Sequence, residues 1–438
     1  MFTEMLSMGL LCGFLGMSSF EICILGLGSM LLSSLTLMSG EINSFGFRVD
    51  HLSFVMVFLS IILGIMTILP SSKDSLNAKG LHMKSLVMFT VAVVLVFFTS
   101  DSLYVFFVSF ELSIIPLMII ILSWGKQPER IGASKLMFSY TMVSSSFLLL
   151  LVAVVLDSGS SIMSFHSTEF NLSGIESPLL VFSLLTFFVK IPVFMFHSWL
   201  PKAHVEAPLE GSMLLAGLML KVGLYGLIRF SEMSEWGKEM SLFIVVLGLW
   251  GALLTSVLSI SSDDMKMSVA YSSVSHMNIA VSAFVLMKDL SLSSSLVIMF
   301  THGLSSPLLF YLVTQIYDMC NSRSILVSKG VLSKLPFLSL VSFILWMVNI
   351  SPPPFLSFFG ELSSFAVLIN LWFFTSFALI GYLFVSSFFN MVNYGILSHS
   401  SQKLNFKNGE GGLLLPLLCS SVTVSLVILF FWSSLINL

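Results

Sequence analysis

The sequence predicts an all-α polytopic membrane protein of about fourteen helices, two of them broken, set in two repeats of opposite orientation. Three observations carry that reading. The first is composition: the 438 residues are 56% hydrophobic and 9% charged, with a mean hydropathy of +1.02. Soluble domains carry about 25% charged residues, and one large soluble core would need far more polar surface than this chain supplies. The second is recurrence, since apolar runs of about 20 residues, the length that crosses a hydrocarbon core, follow one another along the chain. The third is a set of ionisable residues in the middle of such runs, some beside prolines. Charge at bilayer depth is costly enough that it points to function.

In chain order the expected spans are 4–17, 20–38, 51–70, 84–100, 102–124, 133–156, 178–199, 209–230, 240–260, 266–286, 292–316, 336–372, 374–396 and 413–435. A polar Ser-Ser-Phe-Glu break divides the first two. The N-terminal stretch lacks a basic region and the Arg-rich pattern of a transit peptide, so it reads as a first membrane helix. That fits a protein made inside its organelle, or a bacterial inner-membrane protein. The seventh span holds Lys190 near its middle with Pro192 two residues later. A proline there removes a backbone hydrogen bond and clashes with the preceding turn, so the helix should bend or break beside the charge. The eighth span carries Lys221. The stretch 336–372 is too long for one straight helix and contains Pro352, Pro353 and Pro354, so it reads as one discontinuous helix. The seventh and twelfth spans lie an odd number of crossings apart, which makes the two units inverted, and paired broken helices mark a transporter's site. The chain accordingly divides into 1–83 (spans one to three), 84–230 (four to eight), 231–396 (nine to thirteen) and 397–438 (a loop and the last span).

Loop charge gives the orientation. Loops after odd-numbered spans carry most of the basic residues, among them Lys73, Lys79, Lys84, Lys126, Arg130, Lys135 and Lys202; the other side carries Arg48, Arg229, Lys238 and Lys288. The odd loops should face the negative (matrix or cytoplasmic) side. Glu206 and Glu210 fit the start of span eight, where acids suit the helix dipole. Asp263, Asp264 and Lys266 read as a solvated loop cluster. The long loop 157–177 carries no recognisable chemistry.

Several function classes are excluded. No basic patch with interleaved aromatics supports a nucleic-acid partner. Cys12, Cys23, Cys320 and Cys419 are scattered, so iron–sulfur or zinc ligation by them is not expected. Dinucleotide and Walker loops are missing.

What remains is a polar constellation near mid-membrane depth: Glu111 in span five, Lys190 in seven, Lys221 in eight, His276 in ten, His302 in eleven and Glu361 past the break in twelve. Carboxylates lower the cost of neighbouring ammoniums, and imidazole passes protons near neutral pH, so this is the inventory of a proton relay. In that picture Glu111 attracts Lys190 and keeps it protonated. Drawing that charge away sends the proton through water to Lys221 and the histidines, and it leaves near Glu361. His197, seven residues after Lys190 and on the same face of a continuous helix, is either an entry-path group or an ordinary interfacial histidine. Each residue also has a plainer reading: snorkelling lysines, a hydrogen-bonded structural acid at Glu111, buried core histidines, and helix capping by Glu361.

Six segments carry a family resemblance. FELSIIPLMIIILSWGKQPER, FVKIPVFMFHSWLPKAHVEAP, LKVGLYGLIR, DMKMSVAYSSVSHM, FTHGLSSPLLF and PPPFLSFFGEL resemble the fifth, seventh, eighth, tenth, eleventh and twelfth helices of the antiporter-like membrane-arm subunits of respiratory complex I, the mitochondrial NADH–ubiquinone oxidoreductase. The resemblance spans about 50–395. It implies fourteen helices in which two inverted five-helix bundles are embedded, and a relay of Glu111, Lys190, Lys221, His276, His302 and Glu361. It further implies proton translocation coupled to electron transfer from NADH to ubiquinone. NADH, FMN, iron–sulfur clusters and ubiquinone would be bound by other subunits and none by this chain. Implied partners are other complex I subunits, neighbouring antiporter-like subunits above all, and lipids, cardiolipin among them. The implied location is the mitochondrial inner membrane. Glutamate rather than lysine at 361 separates this chain from the distal members of the family. Ser123, Glu210 and Pro307 depart from the family pattern, which bears on loop electrostatics and on the shape of span eleven. A related cation/proton antiporter subunit is the alternative, since it shares fold and charges.

Overall fold

In a computed structural model, the structure describes residues 42–44, 47–70, 78–157, 176–233, 238–286, 289–353, 355–369, 371 and 373–399. The expected spans at 4–17, 20–38 and 413–435 lie outside the described residues, as does most of the loop 157–177.

The chain is an all-α polytopic membrane protein. Its helices are α1 (His51–Ile68), α2 (Ala78–Thr99), α3 (Leu103–Leu112), α4 (Ile114–Trp124), α5 (Arg130–Asp157), α6 (Glu176–Lys190), α7 (Trp199–Glu206), α8 (Leu209–Leu214), α9 (Leu220–Met233), α10 (Lys238–Ser261), α11 (Met265–Phe284), α12 (Asp289–Cys320), α13 (Val331–Lys334), α14 (Pro336–Ile350), α15 (Leu356–Leu368) and α16 (Phe373–His399). A π-helical turn, Leu215–Met219, joins α8 to α9. Among the described residues, eight stretches are long and apolar enough to span a membrane, and the pieces Val181–Lys190, Pro336–Ile350 and Leu356–Leu368 are apolar but shorter. A strand pair, β1 (Ile42–Ser44) with antiparallel β2 (Phe47–Val49), precedes α1; sequence hydropathy gave no sign of it.

The breaks have local causes. Pro116 offers no N–H to the carbonyl four residues before it, and the fifth span divides at Ser113 into α3 and α4. The seventh span ends as a helix at Lys190 and passes through turns before α7 begins. The twelfth stops at Ile350 and resumes at Leu356, across the proline triplet. Each of the two major breaks holds a non-glycine residue in the left-handed region, Met195 (φ 88°) in one and Ser351 (φ 61°) in the other. Such residues cost about 1–3 kcal/mol each and cluster at functional sites. Pro307, by contrast, lies inside a continuous α12.

Two compact units result. The first comprises residues 1–191 and 206–236, the second residues 192–205 and 237–438. The chain therefore leaves the first unit after Ile191, one residue past Lys190, and returns at Glu206.

In the first unit an aromatic cluster of Phe97, Phe106, Phe110, Phe187, Phe230 and Tyr225 fills the space between α2, α3, α6 and α9, with ring centroids 4.5–6.4 Å apart. Gly223 lets α9 approach α6 closely. A Cβ there would lie 2.7 Å from Ile191 and 3.1 Å from the Cβ of Lys190. The end of α9 is anchored by charge. Arg229 Nη2 lies 3.0 Å from Asp50 Oδ2, and Arg48 Nε donates to Asp50 Oδ1 at 2.6 Å. Arg229 Nε also donates to Tyr225 Oη (3.0 Å), and that hydroxyl donates to the Phe98 carbonyl (2.7 Å). Burial pushes the Asp50 carboxyl up, but Arg229 and Arg48 together outweigh it and hold the group below the usual carboxylate range.

In the second unit α12 packs against α11, α14 and α15. Gly360 allows close approach here too, since a Cβ would meet Val297 at 2.9 Å and Ile298 at 3.1 Å.

Several expectations need correction. Glu206 closes α7 and is buried, rather than opening the eighth span. Lys84 is not a loop residue but a buried one within α2, and Lys266, expected in solvent, is also buried. Arg229 lies inside α9, paired with Asp50. In each case a charge was read as a loop residue, whereas a long flexible side chain can run along apolar surface from inside a helix.

Candidate functional site

The six residues expected to form a relay divide evenly. Glu111, Lys190 and Lys221 belong to the first unit, and His276, His302 and Glu361 to the second.

Lys190 is the last residue of α6 and is 3% exposed. Its ammonium does not hydrogen-bond to Glu111. It donates to the Phe110 carbonyl at 2.8 Å and to Ser113 Oγ at 3.4 Å, and it sits 3.2 Å from the centre of the Phe110 ring. Both carboxylate oxygens of Glu111 are buried without a hydrogen-bond partner; Lys190 and Ser145 are the polar groups that act on it. Opposite charges thus face each other without bonding. Their attraction acts across a gap, and the turn at Ser113 presents the Phe110 carbonyl to the lysine.

Lys221 is fully buried on α9. Its Nζ donates to the Ala216 carbonyl at 2.6 Å, five residues back, inside the π-helical turn. A π turn widens the helix and misaligns its carbonyls, and such turns recur at functional sites. The ammonium covers a carbonyl that the widened turn presents.

In the second unit the break and the titratable groups meet. Glu361 Oε1 accepts from Ser351 Oγ at 2.9 Å and lies 3.3 Å from His276 Nδ1. The same His276 nitrogen is 3.2 Å from Tyr382 Oη. The His276 and His302 rings are 5.7 Å apart, and His276 Nε2 is buried with no hydrogen-bond partner. A small cavity bordered by His276, Thr301, His302, Asn349, Ser351 and Glu361 leaves room for about one water. Asn349 reaches the α16 residue Asn390 at 2.9 Å. Glu361 therefore faces a histidine and a hydroxyl, rather than capping helix amides.

His197 needs a correction. The helix stops at Lys190, so the shared-face argument fails, and His197 lies in the turns that belong to the second unit. It is half-buried, stacks on Phe194 (5.2 Å) and leaves its Nδ1 without a hydrogen-bond partner.

Sequence reasoning missed Phe110, Ser113, Ser351, Tyr382 and His204. His204 is fully buried in α7, with its ring parallel to Phe310 at 4.4 Å. Ser351 could have been found from its place before the proline triplet. Tyr382 and Phe110 stand in apolar runs that look like packing surface. No cluster of three or more His, Cys, Asp or Glu able to hold a metal occurs among the described residues.

Residues 100–390 match the family described as NADH:quinone oxidoreductase/Mrp antiporter, transmembrane. The chain is 34% identical to NADH-ubiquinone oxidoreductase chain 4 of Rhipicephalus sanguineus, over 92% of each chain. It is 36% identical to the chain 4 of Ceratitis capitata, covering 80% of this chain and 78% of that one. Its fold matches a chain of respiratory complex I from Thermus thermophilus with bound NADH (TM-score 0.86, 20% identity, 98% of this chain and 95% of that one). It also matches a chain of the membrane-bound sulfane sulfur reductase, an archaeal respiratory membrane complex (TM-score 0.87, 15% identity, 99% and 96%).

Proposed function

We propose a mechanism from one premise: this chain belongs to the NADH:quinone oxidoreductase/Mrp antiporter family of membrane subunits. It is a core membrane-arm subunit of NADH–ubiquinone oxidoreductase, and it moves protons across the mitochondrial inner membrane. Electron transfer from NADH to ubiquinone takes place in other subunits, which hold FMN and the iron–sulfur clusters. The relatives named chain 4 support this reading over a stand-alone cation/proton antiporter.

The observation that carries the mechanism is the pairing of a buried ammonium with an unbonded opposite charge. Lys190 rests on neutral groups while the Glu111 carboxylate, next in sequence to one of them, has no hydrogen bond. Charge movement outside the subunit changes the field at Glu111 and thereby the lysine's hold on its proton. Lys221 receives the proton in the first unit. The His276–His302 pair and Glu361 carry it in the second, with the cavity water bridging the rings and Tyr382 orienting His276. Neighbouring antiporter-like subunits and lipids cover the apolar faces.

The test is Lys190→Ala in the assembled complex in sealed vesicles, with protons moved per electron pair recorded beside NADH–quinone activity. Both should fall while assembly persists. Unchanged pumping and electron transfer would reduce the lysine to a structural role and end the mechanism.

A further inference from the structure

We infer that Phe110 and Ser113 form a second seat for the Lys190 ammonium, apart from Glu111, and that the lysine works by moving between the two. The inference rests on the relay reading above and names a positioning device within it.

Three contacts define the seat. The ammonium is 2.8 Å from the Phe110 carbonyl, 3.4 Å from Ser113 Oγ and 3.2 Å from the Phe110 ring centre. Carbonyl dipole, hydroxyl dipole and ring quadrupole all favour a cation, and all three are neutral. The seat is built rather than accidental. The Phe110 ring is fixed by Phe97 (6.0 Å), Phe106 (6.4 Å) and Phe187 (5.7 Å). The Ser113 hydroxyl is itself oriented by donating to the Phe110 carbonyl at 2.7 Å. Ser113 stands between α3 and α4, three residues before Pro116, and Phe110 lies in the last turn of α3.

Glu111 sits between them in sequence, yet both its oxygens lack a hydrogen bond. An ammonium on a neutral seat beside an unbonded carboxylate has two positions of comparable standing, which is the requirement for a switch. A direct ion pair in a low-dielectric interior would hold the lysine in one place; the neutral seat gives it somewhere to go. Lys221, on the adjacent α9, has its own ammonium on the Ala216 carbonyl, so the two lysines are held by the same kind of neutral partner.

The experiment uses the assembled complex in sealed vesicles. Phe110→Leu removes the ring and keeps the carbonyl. Turnover and pumping should fall about thirtyfold, the size of a desolvated cation–π contact. Phe110→Tyr keeps the ring face and should restore both to within about twofold. A packing role predicts instead that Leu and Tyr are tolerated or harmful alike, and that result would overturn the proposal. Should Phe110→Leu block assembly, Phe110→Met, close in volume and without a ring, takes its place. A second readout is Phe110→Leu in a Glu111→Gln background. Two seats for one ammonium predict little further loss, about twofold or less, whereas multiplied losses mean independent roles and refute a shared switch. Lys190→Ala is run alongside. If it leaves turnover intact, the relay reading falls; if it abolishes turnover while Phe110→Leu is silent, only the second seat falls.

Discussion

The two broken membrane helices use the same backbone device for different chemistry. In the first unit the helix ends on a cation, and neutral groups hold it: a carbonyl, a hydroxyl and an aromatic face around Lys190. In the second the break delivers a hydroxyl, Ser351, to an acid, Glu361, which also lies within 3.3 Å of a titratable histidine. One break therefore isolates a charge from its opposite, and the other brings a charge to a proton-sharing partner. Isolation makes the first half sensitive to fields from outside. Contact sets the acid of the second half 2.9 Å from a hydroxyl and 3.3 Å from a histidine nitrogen. A break in a membrane helix is thus a way of exposing backbone and side-chain polarity at depth, and the residues beside it decide what that polarity does.

Substitutions at each break test that contrast. The largest effect should come from Lys190→Ala, which removes the isolated cation: NADH-driven proton uptake in sealed vesicles should fall about 100-fold, at the low end of losses seen for proton-transfer groups. A loss no greater than that of Glu361→Gln would erase the distinction between the halves. Glu361→Gln keeps an acceptor for Ser351 but removes the charge beside His276, and turnover should fall about tenfold. Full activity in that variant would mean that the second half does not depend on its acid. Tyr382→Phe removes only the hydroxyl on His276. A loss of about fivefold, matching one hydrogen bond of about 1 kcal/mol, should show in pumping with assembly unchanged. The smallest effect concerns the Asp50 anchor of the first unit. Because Arg229 and Arg48 hold its carboxyl below the usual range, its stabilising contribution is complete above about pH 4 and is lost as pH falls through the lowered value. Asp50→Asn should cost about 1 kcal/mol at neutral pH, reduced by partial exposure, and the variant's thermal stability should fall less on acidification than the parent's.

Much of this was legible because its causes are local. Pro192 and the Pro352–Pro354 triplet remove backbone donors wherever the chain folds, and the helices do stop beside them. Pro116 has the same chemistry and interrupts the helix at Ser113, yet Leu103–Trp124 remains one apolar stretch, as hydropathy read it. Glu206 and Lys266 were misplaced because a charge in sequence looks solvated until a partner is known. His197 was misplaced because its face was reckoned along a helix that ends seven residues earlier. The strand pair before α1 left no hydropathic trace, since strands of three residues are too short to show a period.

By itself the sequence determined the membrane class, the positions of most spans, the two major breaks and the six ionisable residues among the apolar runs. Each follows from hydropathy, proline chemistry or the cost of buried charge, and none needs a distant neighbour. Only the tertiary structure decided where those charges point: Lys190 to the Phe110 carbonyl rather than to Glu111, Lys221 to a carbonyl in a π turn, and Glu361 to Ser351 and His276. A long side chain chooses among partners within its reach, and those partners are set by helices packing across long stretches of chain, 80 residues between Lys190 and Phe110.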